Sequence, residues 1–197
     1  MKILLIGATG QLGQTLIKTK PQNVEIVECS RSNIDLSNLG LINDFILSSN
    51  ANFVINSAAY TEVDKAELES ELAYQINAKA PNAIAKAVSK TKGRLIHIST
   101  DFVFDGSKNI PYNPKDYVKP LGIYGKSKAK GEEYVLKLKN NYVVRTSWLY
   151  GDFGKNFCLT MLRLHKEKSL AKQPLRVVSD QIGVPTSTYS LSRFCWK

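Results

Sequence analysis

Hydrophobic and polar positions along the chain switch repeatedly between two patterns. Short runs of apolar residues occur at Lys2–Ile6 (KILLI), 24–28 (VEIVE), Phe53–Asn56 (FVIN), 94–98 (RLIHI), 142–145 (YVVR) and 175–178 (LRVV), and each predicts a strand. Between them lie longer segments with helical spacing, at Gln11–Lys18, 39–47, 64–90, 121–138 and 156–166. Strands that alternate with helices form β-α-β units and a parallel sheet. Continuously apolar strands fit a sheet covered on both faces. The predicted fold class is therefore α/β, a doubly wound parallel sheet of the Rossmann type. Pro81 falls inside the longest helical segment, where a proline costs roughly 3 kcal/mol. It predicts a kink, or a new helix starting near Ala80. No internal repeat or low-complexity stretch interrupts the pattern.

Composition narrows the class without changing it. The 197 residues are 43% hydrophobic and 22% charged, close to soluble averages. No run approaches the ~18 apolar residues of a membrane span. Gly7 stops the first apolar run too early for a signal peptide. The expectation is a cytoplasmic protein without membrane contact. Cys29, Cys158 and Cys195 lie far apart with no C-x-x-C pair, which fits reduced thiols and offers no metal-ligand spacing. The formal charge is +10, from 27 Lys and Arg against 17 Asp and Glu. Much of the excess lies at Lys126, Lys128, Lys130, Lys137, Lys139, Lys166, Lys168 and Lys172, where solvated helix faces account for all but Lys128. A basic balance also suits a diphosphate ligand. A nucleic-acid partner is not expected, because no aromatic–basic interleaving accompanies the charge.

The first strand runs directly into Gly7-Ala8-Thr9-Gly10-Gln11-Leu12-Gly13, and a helix follows. Glycines there allow a sharp turn, close approach of a pyrophosphate, and tight helix–sheet packing. The helix N-terminus adds free N–H groups and a partial positive charge. Glu28, read as closing the second strand, is placed to bond the ribose 2′-hydroxyl of NADH; Ser30 and Arg31 follow at once and suit the 2′-phosphate of NADPH. Both cofactors stay open on this reading.

The fourth strand ends in Ser99-Thr100-Asp101, at the carboxyl edge where open α/β sheets bind ligands. Farther on comes Tyr124-Gly125-Lys126-Ser127-Lys128, on a helix expected to open at Pro120. A spacing of four puts Tyr124 and Lys128 on one helical face. Such pairs are common on solvated helices, and the glycine turn and the S-T-D stretch are what set this one apart. An ammonium beside a phenol favours the phenolate and lowers its pKa from about 10. Tyr124 then serves as proton donor to a ketone, with Thr100 as hydrogen-bond donor to the same oxygen. Gly122, Gly125 and Gly131 weaken that helix. Close approach to cofactor or sheet explains the first two, and the sequence offers no reason for Gly131.

These stretches together resemble one family. GATGQLG at Gly7, INSAAYTEVDKAE at Ile55, INA at Ile76, STDFVFDG at Ser99, YGKSKAKGE at Tyr124, RTSWLYG at Arg145, KNF at Lys155 and SDQIGVPT at Ser179 are similar, in order, to the dTDP-4-dehydrorhamnose reductases. These are extended short-chain dehydrogenases. The resemblance implies reduction of the C4 ketone of a nucleotide sugar, dTDP-4-dehydro-β-L-rhamnose, by NADPH or NADH. It implies Thr100, Tyr124 and Lys128 as the catalytic set. Gly7, Gly10, Gln11, Leu12 and Gly13 would serve the pyrophosphate, and Asp35 and Leu36 the adenine. Ala59, Tyr60 and Thr61 would line the middle of the cofactor, with Asn77 supporting the proton path. Val63, Asp101 and Trp148 would face the sugar nucleotide, the alternative for Trp148 being plain core. Phe102 departs from the tyrosine frequent in the family. A homodimer is also implied, some members using a metal-assisted contact beyond the region matched here.

The resemblance further divides the chain into a dinucleotide-binding region at 1–180, with 148–170 facing substrate, and the start of a substrate-binding region at 181–197. The ending TYSLSRFCWK reads as the middle of a helix, so the substrate half is expected to be incomplete. One alternative function stays open. The regulatory subunit of methionine adenosyltransferase resembles the same family, which permits a cofactor-binding protein without catalysis.

Overall fold

A computed structural model describes residues 1–197. Five parallel strands form its sheet: β1 (Lys2–Ile6), β2 (Glu25–Cys29), β3 (Phe53–Asn56), β4 (Arg94–Thr100) and β5 (Asn141–Thr146), in the order β2-β1-β3-β4-β5. The order reverses between β1 and β3, and a crevice opens at the carboxyl ends of strands flanking such a switch point. Helices α2 (Ile42–Ser49), α5 (Ala80–Ser89) and α6 (Ile123–Leu136) cover one face. Their Ile42, Ile46, Ile84, Val88 and Val135 pack with Leu4, Ile6, Val54 and Leu95 of the sheet. Helices α1 (Gln11–Lys18) and α8 (Thr188–Cys195) cover the other, where Leu12, Leu16 and Leu191 meet Ile3, Leu5, Ile55 and Ile98. This is the doubly wound architecture that the strand–helix alternation predicts.

The long helical segment at 64–90 is broken. Short helices α3 (Val63–Ala66) and α4 (Ser70–Tyr74) lead into one wide turn of π-helix at Gln75–Lys79, and α5 starts at Ala80. Pro81 sits in the first turn of α5, where its missing N–H costs no helical hydrogen bond. The proline therefore resets the helix, and the widened turn before it presents Asn77 to the interior. Gly131 of α6 finds its reason here. A Cβ at that position would lie 2.1 Å from the Asn77 carbonyl oxygen, so α6 packs directly on the wide turn.

Three other expectations need correction. The run at 175–178 is coil, with Val177 and Val178 largely in solvent. Apolar character alone does not make a strand where no neighbouring edge supplies the ladder. Helix α6 opens at Gly122, two residues beyond Pro120, because Glu67 Oε1 accepts the Ile123 N–H at 2.7 Å and supplies the cap from α3's end. Strand β2 closes at Cys29, one residue later than read. In the rest of the chain, β6 (Leu149–Tyr150) pairs with β7 (Thr186–Ser187), and α7 (Phe157–Leu170) has no fully buried residue. Helix α8 packs on α1, with the Trp196 indole N–H donating to Thr19 Oγ1 at 3.1 Å. No helix is long and apolar enough to cross a membrane.

Candidate active site

The glycine turn occupies the crevice at the switch point. Gly7 adopts φ +86°, which L side chains rarely tolerate. Its N–H and that of Ala8 both donate to the Cys29 carbonyl, tying the turn to the end of β2. A Cβ on Gly13 would stand 2.2 Å from the Gly7 carbonyl oxygen, so α1 starts in direct contact with the turn. Gly10 is the N-cap and uses no side chain, which leaves the first N–H groups of α1 free for an anion. The residues present thus fit a dinucleotide diphosphate. Gly13→Ala is expected to destabilise the fold by about 1–3 kcal/mol through overpacking, read as a lower urea midpoint, and to weaken dinucleotide binding in a titration.

Around this turn the predicted cofactor residues divide. Ser57 Oγ donates to the Ile6 carbonyl and joins the ends of β1 and β3. Ala59 and Tyr60 follow, but the Tyr60 side chain turns into a small core with Ala66 and Ala73, and its hydroxyl donates to Glu69 Oε2 at 2.7 Å. Burial, helped by Glu69, pushes this phenol up to about 12. Only the Tyr60 backbone is left to line a cofactor, and Asn77 fixes it: Asn77 Oδ1 accepts the Tyr60 N–H at 2.9 Å and Nδ2 donates to the Tyr60 carbonyl at 3.1 Å. Asn77 Nδ2 also donates to Ser127 Oγ of α6, so its amide is committed to holding this wall. Thr61 and Val63 are exposed. Leu36 is buried in the core, and the Asp35 carboxylate is held below its usual range chiefly by the Ser37 N–H. Glu28 lies one residue inside the end of β2 and is exposed. The turn past the strand end is made instead by Ser30, Arg31 and Ser32. The two serine hydroxyls lie 2.7 Å apart, and the Arg31 guanidinium is mostly in solvent, 3.5 Å from Asp35.

The second group assembles at the carboxyl end of β4. Thr100 is the last residue of that strand, and its hydroxyl donates to Asp101 Oδ1 at 3.1 Å while accepting the Phe102 N–H. The Phe102 ring meets the Tyr124 ring edge-on at 5.5 Å. Gly125 lets α6 press against the Phe102 carbonyl, which sets Tyr124 beside the β4 turn. Lys128 is fully buried one helical turn farther, and its Nζ donates to the Ile98 carbonyl at 2.7 Å. Burial lowers this lysine to about 8, with Glu132 opposing. Burial also pushes the Tyr124 phenol up, partly offset by the Thr100 hydroxyl and reinforced by the Asp101 charge. The expected acidification of Tyr124 by Lys128 is therefore not what governs this phenol. A dehydrated ammonium satisfied by a backbone carbonyl leaves burial to dominate. Asp101 is likewise raised by burial. The surface lysines named from the sequence are exposed or half-exposed, and Lys128 alone of the group is buried.

Trp148 stands apart from the core. It adopts φ +45° and is 44% exposed. Its indole lies against Gly183, where a Cβ would come within 2.6 Å of the ring. Ser147 Oγ donates to the Val184 carbonyl, so the RTSWLYG and DQIGVPT stretches hold each other. Non-glycine residues in this backbone region are strained and cluster at ligand sites. Three structural parts of the site escaped the sequence reading. Glu67 caps α6, Asn156 caps α7 while donating to Gln11 Oε1, and Glu132 pairs with Arg145. Only Asn156 carried a readable signal, a capping residue before a helical run. No three His, Cys, Asp or Glu side chains converge as metal ligands.

The family model described as "RmlD substrate binding domain" matches residues 1–197. The chain belongs to that family. A dTDP-4-dehydrorhamnose reductase of Aggregatibacter actinomycetemcomitans is 43% identical over 188 residues, 94% of this chain and 63% of its own length. A crystal structure of a dTDP-4-dehydrorhamnose reductase from Clostridium acetobutylicum superposes with a TM-score of 0.93 at 44% identity, over 99% of this chain and 69% of that one. The Bacillus anthracis reductase, solved in complex with NADP, also gives a TM-score of 0.93, at 37% identity over 98% of this chain and 69% of that one. The chain thus spans a little under two thirds of the length of curated relatives in this family.

Proposed function

We propose that this chain is the cofactor-binding and proton-donating part of a dTDP-4-dehydrorhamnose reductase, which reduces the C4 ketone of dTDP-4-dehydro-β-L-rhamnose to dTDP-L-rhamnose. The observation that carries the reading is the cluster of Thr100, Asp101, Tyr124 and buried Lys128 at the carboxyl end of β4, in a chain whose β1–α1 turn is shaped for a diphosphate. When bound, a reduced nicotinamide supplies the hydride for the carbonyl carbon. The backbone N–H groups of Gln11 and Leu12, at the open N-terminus of α1, would hold the diphosphate, and the Tyr60 backbone, kept in place by Asn77, lines the crevice. The Thr100 hydroxyl, turned from Asp101 Oδ1, donates a hydrogen bond to the ketone oxygen. Tyr124, kept protonated by its burial, gives its proton to the same oxygen as negative charge develops there. Lys128, with Nζ held by the Ile98 carbonyl of β4, would bond the nicotinamide ribose. The Trp148 indole offers a flat apolar face to the sugar or base. The test is nicotinamide oxidation with the 4-keto sugar nucleotide. Steady turnover supports the reading, and tight NADPH binding without turnover favours the non-catalytic alternative.

NADPH is the donor this site suits better. The turn beyond β2 presents Ser30, Ser32 and a solvent-exposed Arg31 whose ion pair with Asp35 spans 3.5 Å, a set that matches a 2′-phosphate, while Glu28 lies one residue back inside the strand. Arg31→Ala is expected to weaken NADPH binding about tenfold, the effect of a lost charge-assisted hydrogen bond, and to leave NADH binding unchanged. Fluorescence titration with both cofactors checks this, and equal losses for the two would count against a 2′-phosphate role.

A further inference from the structure

On the side of the sheet covered by α6, strand β4 turns from apolar to polar. Leu95 packs in the core with Val135 of α6. His97 and Ser99 follow at two-residue steps and so face the same helix. Lys128 precedes Val135 by seven residues, on the same face of α6. Its Nζ reaches the carbonyl of Ile98, the residue between the two. His97, Ser99 and Lys128 are all buried.

Neighbouring groups assign the imidazole tautomer. Asn56 Oδ1 accepts the Ala58 N–H at 3.2 Å, which turns Asn56 Nδ2 toward His97 Nδ1, also at 3.2 Å. Nδ1 is then the acceptor and the neutral ring carries its proton on Nε2. Burial, with the Lys128 charge nearby, keeps the ring neutral. His97 Nε2 and Ser99 Oγ have no hydrogen-bond partner in the protein. The Lys128 ammonium has three N–H donors and a single protein acceptor. Buried polar groups are satisfied by protein or by ordered water, and three on one face call for a shared partner.

We propose that His97 Nε2, Ser99 Oγ and Lys128 Nζ together bind one buried water molecule, through which His97 acts as a positioning residue for the lysine. The water accepts one hydrogen bond from the imidazole and one from the ammonium, and donates to the Ser99 oxygen. The added acceptor favours the ammonium over the amine and holds Nζ at the end of β4. Its consequence for catalysis rests on the role given to Lys128 above; the water site itself does not.

The charged and titratable groups around the lysine are Tyr124 and Glu132 on its own helix, the latter held by Arg145 of β5, and Asp101 and His97 from β4 and its turn. Strand β3 and the π turn contribute Asn56 and Asn77, which do not titrate. The test is an NMR titration of the Lys128 side chain in the protein alone, its signal assigned by its loss in Lys128→Met. Removing the water's anchor lowers the midpoint from about 8. His97→Leu is expected to lower it by about one pH unit, a tenfold change in the ammonium-to-amine ratio at any given pH. His97→Gln, which keeps an N–H donor, restores the parent midpoint. Ser99→Ala gives a smaller shift in the same direction and carries the test if His97→Leu does not fold. A purely structural role for His97 lowers the melting temperature and leaves the titration in place. A crystal structure is expected to show a water within hydrogen-bond distance of all three atoms. Unchanged midpoints in the folded variants, or His97 Nε2 bonded directly to Ser99 with no water at Lys128, would overturn the proposal. No cofactor is needed, so a chain that binds no NADPH still answers the question.

Discussion

Replacing Tyr124 by phenylalanine is expected to slow ketone reduction by at least two orders of magnitude while leaving NADPH affinity within a factor of about two. Positioned acid catalysis is typically worth about 10²- to 10⁴-fold, or roughly 3–5 kcal/mol of barrier. The substitution removes one oxygen and little else. The ring keeps its edge contact with Phe102, and the Gly125 packing against the Phe102 carbonyl does not involve the hydroxyl. The loss should therefore fall on the chemical step and not on folding or cofactor binding. Burial raises this phenol above its ordinary value, so at neutral pH it is protonated, the form a donor needs. Steady-state oxidation of NADPH with the 4-keto sugar nucleotide measures the first quantity, and a cofactor titration the second. A Tyr124→Phe protein as fast as the parent removes Tyr124 as the proton donor.

The second large effect is on stability. Arg145 of β5 grips Glu132 of α6 with a fork, Nε at 2.9 and 3.1 Å from the two carboxylate oxygens and Nη2 at 2.6 Å from one of them. The same guanidinium donates to the Pro114 carbonyl and lies over the Phe104 ring. Glu132 is only 3% exposed. Arg145→Leu strands a buried carboxylate, and breaking such a pair costs about 3–5 kcal/mol. The urea midpoint should fall accordingly with the slope unchanged. Replacing both partners, Arg145→Leu with Glu132→Leu, should recover most of the loss, because no unpaired charge is left behind. A double variant no more stable than the single one would show that the pair's packing, and not its charge, supports the fold. The effect reaches the site, since Glu132 lies one turn beyond Lys128, and Phe104 and Pro114 belong to the segment joining Thr100 to Tyr124.

Much of this was legible in the residues. KILLI, FVIN and the helix at Gln11–Lys18 could be placed to the residue because their apolar spacing matches one structure only and a glycine turn separates strand from helix. Tyr124 and Lys128 were legible as a pair because four residues make one helical turn. Less legible were features in which one element completes another. Glu67 caps a helix that begins far along the chain, and Glu132 of α6 is held by Arg145 of β5. The run at 175–178 misled because a strand needs an edge to pair with, and no local pattern reports on that.

Taken alone, the amino-acid sequence determined the alternation of elements, the glycine turn between the first strand and the first helix, and the placing of Thr100 at a strand end and of Tyr124 and Lys128 on one face of a helix. These follow from local periodicity and backbone stereochemistry, which act over a few residues. The tertiary structure alone decided that Lys128 is dehydrated and bonded to Ile98, that burial raises Tyr124 where an ammonium was expected to acidify it, and that Asn77 spends its amide on a wall of the crevice. The reason is that solvation and hydrogen-bond partners are set by whichever groups the fold brings into contact, at separations no spacing rule can see.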